Sequence, residues 1–196
     1  MQNPIKKIVY TGGPCGGKTT FLALAEQMLG EYGIKVVVMP EVATSLILSG
    51  LNPDPKQWKY STAFQKHLLQ FSVLHERALL TAMEDLQTDG PKVLICDRGL
   101  LVGMAYVGGS AFLEITESLG LGLEQMRSSY DAVIHFVTAA DGAEEYYTLE
   151  NNAARSETPE EARALDKKTQ QAWLDHPHLH IIGNETDFEG KMYRAK

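Results

Sequence analysis

The sequence predicts a three-layer α/β fold around a mainly parallel five-stranded sheet, and three observations carry that prediction. Short apolar runs recur along the chain with helix-period segments between them, the alternation that builds parallel sheets. The clearest run, Val36-Val37-Val38, is continuous rather than alternating, which suits a strand covered on both faces. No internal repeat or low-complexity linker interrupts the 196 residues, so one domain spanning 1–196 is expected.

Taken in order, Ile5 to Tyr10 reads as a first buried strand, followed by a glycine-dense turn. Thr19 to Gly30 carries Phe21, Leu22, Leu24, Ala25 and Leu29 at helical intervals. Gly30 and Gly33 bracket the turn into a second strand, Lys35 to Met39, which Pro40 ends. Glu41 to Leu48 reads as a short helix. Ser61 to Leu86 reads as a long one whose apolar residues, from Phe64 to Met83, are spread widely enough to be covered on most sides. Asp89-Gly90-Pro91 is the stop after it. Val93 to Cys96 is the third strand and Ala132 to Val137 the fourth, with short helices and loops expected from Gly99 to Gly122 between them. Thr158-Pro159-Glu160-Glu161 has the residues of a capped helix start: a Thr cap, Pro in the first turn and a Glu placed to return the capping bond. That helix, running to about Leu174, sets Ala162, Leu165, Thr169 and Trp173 on one stripe. Leu179 to Ile182 is the fifth strand.

Composition bounds the function. With 18 Lys+Arg against 25 Asp+Glu, the net charge is −7. An acidic surface argues against broad grip on nucleic acid or anionic lipid, whose driving term is phosphate neutralisation. It leaves room for a local pocket that takes a small phosphate compound. Cys15 and Cys96 have neither a CxxC spacing nor a nearby ligand cluster, and read as reduced thiols. No apolar run approaches a transmembrane span and the N-terminus has no signal core, so membrane insertion is not expected. A cytoplasmic protein is the expectation.

The strongest motif is Gly12-Gly13-Pro14-Cys15-Gly16-Gly17-Lys18-Thr19, which matches G-x-x-x-x-G-K-[ST] between a strand and a helix, as a P-loop requires. Glycines allow the backbone twists that turn successive N–H groups inward, and the helix N-terminus adds partial positive charge. These residues, with Thr20, are the candidate binding site for a nucleoside triphosphate. Lys18 would bridge the β- and γ-phosphates and the Thr19 hydroxyl would hold Mg²⁺. Asp97, at the carboxyl edge of the third strand, is either the second Mg²⁺ handle or the cap of the next turn. Cys15 reads as a small residue that fits the loop.

P-loop proteins divide by what attacks the γ-phosphate. A hydrolytic motor usually has a water-activating Glu after the strand-three Asp; here Arg98 and Gly99 follow Asp97, and an Arg there can steady phosphates or an acceptor. Asp97-Arg98 resembles the acid–arginine motif of P-loop nucleoside and nucleotide kinases. Pro40-Glu41-x-Ala43 resembles the same group and the kinase half of NadR. Further on, Tyr130 to Phe136, Tyr147 to Glu157, His176 to His180 and Thr186 to Lys191 resemble the P-loop domain of the NadR and TRPL-translocation-defect type. With the loop, the resemblance spans almost the whole chain, and it implies a kinase-like P-loop NTPase fold that binds ATP or GTP. Larger members append a further lipid- or phosphate-binding domain, and none is expected here.

By that resemblance Glu41 is the general base that takes the proton of a substrate hydroxyl; the alternative is a Glu that caps its helix. A lid at about 150–158 is implied as well, delivering Arg155 to the phosphates, with Arg163 as second candidate and a solvated arginine as the alternative. Asn184 and Asp187 have the spacing of the guanine clamp N-K-x-D without its Lys, a pointer to GTP unless they only make a turn. Trp58, Tyr60, Phe64 and Gln65 either line an acceptor site or belong to the core. His176, His178 and His180 lack a carboxylate or cysteine partner in register for a metal.

The expectation is an Mg²⁺-dependent phosphotransferase that moves the γ-phosphoryl of ATP or GTP to a small hydroxyl acceptor. The competing expectation is a nucleotide-binding switch or weak NTPase acting through a protein partner.

Overall fold

The computed structural model describes residues 4–51, 60–147 and 157–195. Five strands, β1 (Ile5–Gly12), β2 (Lys35–Met39), β3 (Lys92–Asp97), β4 (Ala132–Phe136) and β5 (Leu179–Ile182), pair in the order β2-β3-β1-β4-β5. Every pairing is parallel. Strand β1 is central, so the turn that leaves it opens where the chain switches from one side of the sheet to the other, the place where open α/β sheets bind ligands.

The described helices are α1 (Lys18–Glu31), α2 (Val42–Leu48), α3 (Thr62–Asp85), α4 (Gly103–Val107), α5 (Gly109–Ser118), α6 (Leu123–Ser128), α7 (Pro159–Gln171) and α8 (Phe188–Arg194). One face of the sheet presents Val9, Leu94, Cys96 and Val133 to α3, α5 and the turn that follows α7, with Leu68, Met83, Phe112 and Trp173 among the buried partners. The other presents Tyr10, Val93, Ile95 and Phe136 to α1 and α8. There the rings of Tyr10, Phe21 and Phe136 meet with centroids 5.2 to 6.0 Å apart, a tilted and edge-on arrangement that aromatic quadrupoles favour.

Local chemistry accounts for the best-defined helix starts. At α7, Thr158 Oγ1 accepts from the Glu161 amide at 3.3 Å and Glu161 Oε2 accepts from the Thr158 amide at 2.7 Å, the reciprocal box that the sequence spells. Ala162, Leu165, Thr169 and Trp173 are all buried, as their shared stripe requires. Ser61 caps α3 by accepting from the Phe64 amide at 3.4 Å.

Three differences from the sequence reading have simple causes. Strand β1 runs on to Gly12 because Thr11 and Gly12 still pair with His135 and Phe136; the ladder continues where the apolar pattern has stopped. Helix α6 starts directly after Gly122, past the segment expected to hold the short helices. Helix α8 was not anticipated at all. Asp187, read as a base contact, caps it by accepting from the Gly190 amide at 2.9 Å, and Arg194 reaches back to the Gly183 carbonyl and Glu185 ahead of the helix.

Candidate functional site

The loop between β1 and α1 is shaped by backbone positions that side chains would obstruct. Gly12 has φ 135°, and a Cβ on it would run into the Phe136 carbonyl. Gly17 precedes α1 at φ 93° and makes no side-chain cap, so the first-turn amides of α1 are not closed by a side chain of their own cap residue. Cys15 takes a left-handed φ of 56° despite its side chain, and Arg98 across the cavity takes 77°. Non-glycine residues rarely adopt this region, and when they do it is often at functional sites.

A cavity of about 460 Å³ opens at the carboxyl edge of β1 and β3. Pro14, Cys15, Gly17, Lys18, Thr19 and Thr20 line one wall; Glu41, Asp97, Arg98 and Gly99 line the opposite one; Val42, Phe64, Gln65, Leu68 and Tyr106 extend it between α2, α3 and α4. Lys18 is buried, and its Nζ donates to the carbonyls of Gly12 at 3.1 Å and Gly13 at 2.8 Å. Burial pushes its ammonium down from an ordinary 10.5 to about 8, and Arg98 pushes the same way against Asp97, Glu41 and Asp166.

The opposite wall is an acid–base constellation. Arg98 Nε lies 2.5 Å from Glu41 Oε1, and Glu41 Oε2 accepts from Thr44 Oγ1 at 3.4 Å. Glu41 stands at the N-cap position of α2 yet caps no backbone amide; its carboxylate lies between Arg98 and the Thr44 hydroxyl and lines the cavity. Burial works against the Arg98 charge, but Glu41, Tyr106 and Asp97 outweigh it and raise its pKa above the ordinary value. Asp97 is mostly buried; burial lifts its carboxyl above the ordinary 3.8, with Arg98 and Lys18 opposing. Its Oδ1 is buried without a hydrogen-bond partner, a costly arrangement for an acceptor aimed into a polar cavity.

Other sequence candidates lie elsewhere. Asn184 Nδ2 donates to the Thr138 and Asp141 carbonyls, at 2.8 and 2.7 Å, and Asn184 Oδ1 accepts from Lys191 at 2.7 Å. A base contact by Asn184 would have to displace these bonds, whereas the α8 cap occupies only Oδ1 of the exposed Asp187 carboxylate. Arg163 donates to the Ala140 carbonyl at 2.5 Å and pairs with Glu160 at 2.9 Å; it is not among the described residues that line the cavity. Arg155, the 150–156 part of the expected lid, and Trp58 fall outside the described residues. Phe64 and Gln65 line the cavity, whereas Tyr60 sits half-exposed with its ring 5.9 Å from that of Tyr106. His176 accepts from the His178 amide through Nδ1 and has Nε2 2.9 Å from the Tyr130 carbonyl, and no group of three metal-ligating side chains occurs among the described residues.

The residues that brace the site were not singled out by the sequence reading. Asp166 Oδ1 accepts from the Gly13 amide at 2.6 Å, and the Thr138 hydroxyl donates to the Pro14 carbonyl at 2.5 Å. The signal for Asp166 was present: it is a carboxylate on the buried stripe of α7, where a charge needs a reason. Behind Arg98, the Tyr130 hydroxyl accepts from the Leu100 amide at 3.2 Å and donates to Glu76 at 2.7 Å, while Lys7 pairs with Glu76 from the other side. That buried network ties the loop after Arg98 to β1, α3 and the start of β4.

Loop, sheet order and cavity together define a P-loop nucleotide-binding protein of kinase-like architecture. The chain belongs to the family described as AAA domain, whose model matches residues 7–191. Its fold is shared with a deoxyadenosine kinase from M. mycoides solved with bound dATP, at 17% identity and a TM-score of 0.53, over 97% of this chain and 96% of that one. No curated protein sequence matches. No helix among the described residues is long and apolar enough to cross a membrane.

Proposed function

We propose that this protein is a phosphotransferase that moves the γ-phosphoryl group of ATP or GTP to the hydroxyl of a nucleoside-sized acceptor. The observation that carries the reading is the Glu41–Arg98 ion pair, set at 2.5 Å in the same cavity as Lys18, Thr19 and Asp97. A hydrolytic site has to orient a water for attack; here Glu41 shares its cavity with Phe64, Gln65 and Leu68, side chains suited to packing on an organic acceptor. The resemblance to NadR-type domains and the fold shared with a deoxyadenosine kinase support an acceptor of riboside type.

In this reading the loop amides and Lys18 hold the phosphates, Lys18 exchanging the Gly12 and Gly13 carbonyls for phosphate oxygens. Glu41 accepts the proton of the acceptor hydroxyl, and Arg98 both orients Glu41 and faces the charge spreading over the transferred group. The unpartnered Asp97 Oδ1 and the hydroxyl of Thr19, an exposed residue that lines the same cavity, fit Mg²⁺, a hard cation that takes one or two protein oxygens and completes its shell with water and phosphate. When bound, the ion neutralises charge on the β- and γ-oxygens.

The test incubates the protein with Mg²⁺ and ATP or GTP, plus a mixed library of nucleosides, ribosides and small alcohols, and reads products by mass spectrometry. A phosphorylated acceptor that disappears in both Glu41→Gln and Lys18→Ala is the expected result. Tight nucleotide binding with no phosphorylated acceptor would instead favour a regulatory switch, or a weak NTPase if the diphosphate accumulates.

A further inference from the structure

We propose that Asp166 is the positioning residue of the phosphate loop: from α7 it holds the Gly13 peptide in place, so that nucleotide affinity depends on where α7 sits. The proposal rests on the loop binding a nucleotide and not on phosphoryl transfer.

Asp166 is 4% exposed and lies under the loop rather than in the cavity. Its Oδ1 accepts from the Gly13 amide at 2.6 Å and from the Thr138 amide at 3.2 Å, and His135 Nε2 stands 3.3 Å away. Thr138 in turn holds Pro14 through its hydroxyl, so two consecutive loop residues are pinned from below. The fit is tight. A Cβ on Gly13 would stand 2.5 Å from Asp166 Oδ1 and 2.9 Å from the Cβ atoms of both Asp166 and Thr138.

Gly13 is held from both of its polar ends, its amide by Asp166 and its carbonyl by Lys18 at 2.8 Å. When Lys18 turns to a phosphate it releases that carbonyl, and Asp166 with Thr138 must then keep the loop in shape. The same segment reaches the ligand side, because Glu157, just ahead of α7, lines the cavity. A shift of α7 therefore moves the loop's anchor and a cavity wall together. By reciprocity, nucleotide on the loop must also steady α7.

Hydrogen exchange on the wild-type protein, with Mg²⁺ and either ATP or ADP, tests this directly. The expected result is slower exchange in the α7 amides whenever the loop amides are protected. In Asp166→Ala, nucleotide affinity should fall by about tenfold or more, the scale of a lost hydrogen bond to a charged acceptor. That variant should also lose the α7 protection. Asp166→Asn keeps an acceptor oxygen for the Gly13 amide and should restore affinity to within about threefold of wild type. Unfolding curves confirm that each variant is folded; if Asp166→Ala is not, the wild-type exchange and Asp166→Asn decide. Loop protection without α7 protection in the wild type, or unchanged affinity in a folded Asp166→Ala, overturns the proposal. Binding without any phosphorylated product refutes the transferase reading alone and leaves this test intact.

Discussion

Raising the pH from 7 to 9 should weaken nucleotide binding by about tenfold, and Lys18 is the reason. In the free protein its ammonium is buried against the Gly12 and Gly13 carbonyls, with burial and then Arg98 lowering its pKa to about 8. A phosphate next to it favours the charged form and raises that value. The sign follows: below pH 8 the lysine already carries its proton and binding is insensitive to pH, whereas above pH 8 each binding event must first recharge it. At pH 9 only about a tenth of free Lys18 is protonated, hence the tenfold loss, with about one proton taken up per nucleotide bound. Titration calorimetry at both pH values, in two buffers of different ionisation enthalpy, measures the affinity and the proton uptake together. Lys18→Arg holds its charge throughout and should flatten the profile. Equal affinity at pH 7 and 9 with no proton uptake in the wild type would refute the argument.

Other outcomes can be read from the same cavity. If the protein is the transferase proposed above, Glu41→Gln should slow phosphoryl transfer by about 10²- to 10⁴-fold while nucleotide affinity stays near wild type, because in that reaction the group acts on the acceptor's proton; single-turnover kinetics beside a binding titration separates the two. Asp97→Asn should reduce the difference in nucleotide affinity with and without Mg²⁺, measured by the same titration in EDTA. Tyr130→Phe removes the hydroxyl that bridges Glu76 and the Leu100 amide, and should cost about 1 to 3 kcal/mol in urea unfolding. Because the loop after Arg98 loses its anchor, the same variant should also lose activity under conditions where it remains folded.

Much of this molecule is local in its causes and therefore legible in the chain. The G-x-x-x-x-G-K-[ST] spacing, the continuous apolar strands and the α7 capping box each depend on residues close in sequence, and each stands in the structure as spelled. Glu41 was legible as a candidate but not as a choice. Capping and cavity roles ask for the same residue type, and only its orientation, toward Arg98 and with no bond to a helix amide, separates them. Asn184 and Asp187 mark the opposite limit. Their spacing matches a base clamp, yet their side chains are engaged by Thr138, Asp141, Lys191 and the α8 cap, partners that chain spacing does not reveal.

The sequence by itself determined the strands, the phosphate loop and the residue types available for chemistry, because hydrophobic period, glycine freedom and helix capping act over a few residues. Tertiary structure alone decided that Glu41 from the β2 edge meets Arg98 from β3, and that Asp166, 153 residues beyond Gly13, holds the loop from beneath. Those partnerships form where strands β2, β3, β1 and β4 lie side by side, and that order is set by long-range packing, which local patterns do not encode.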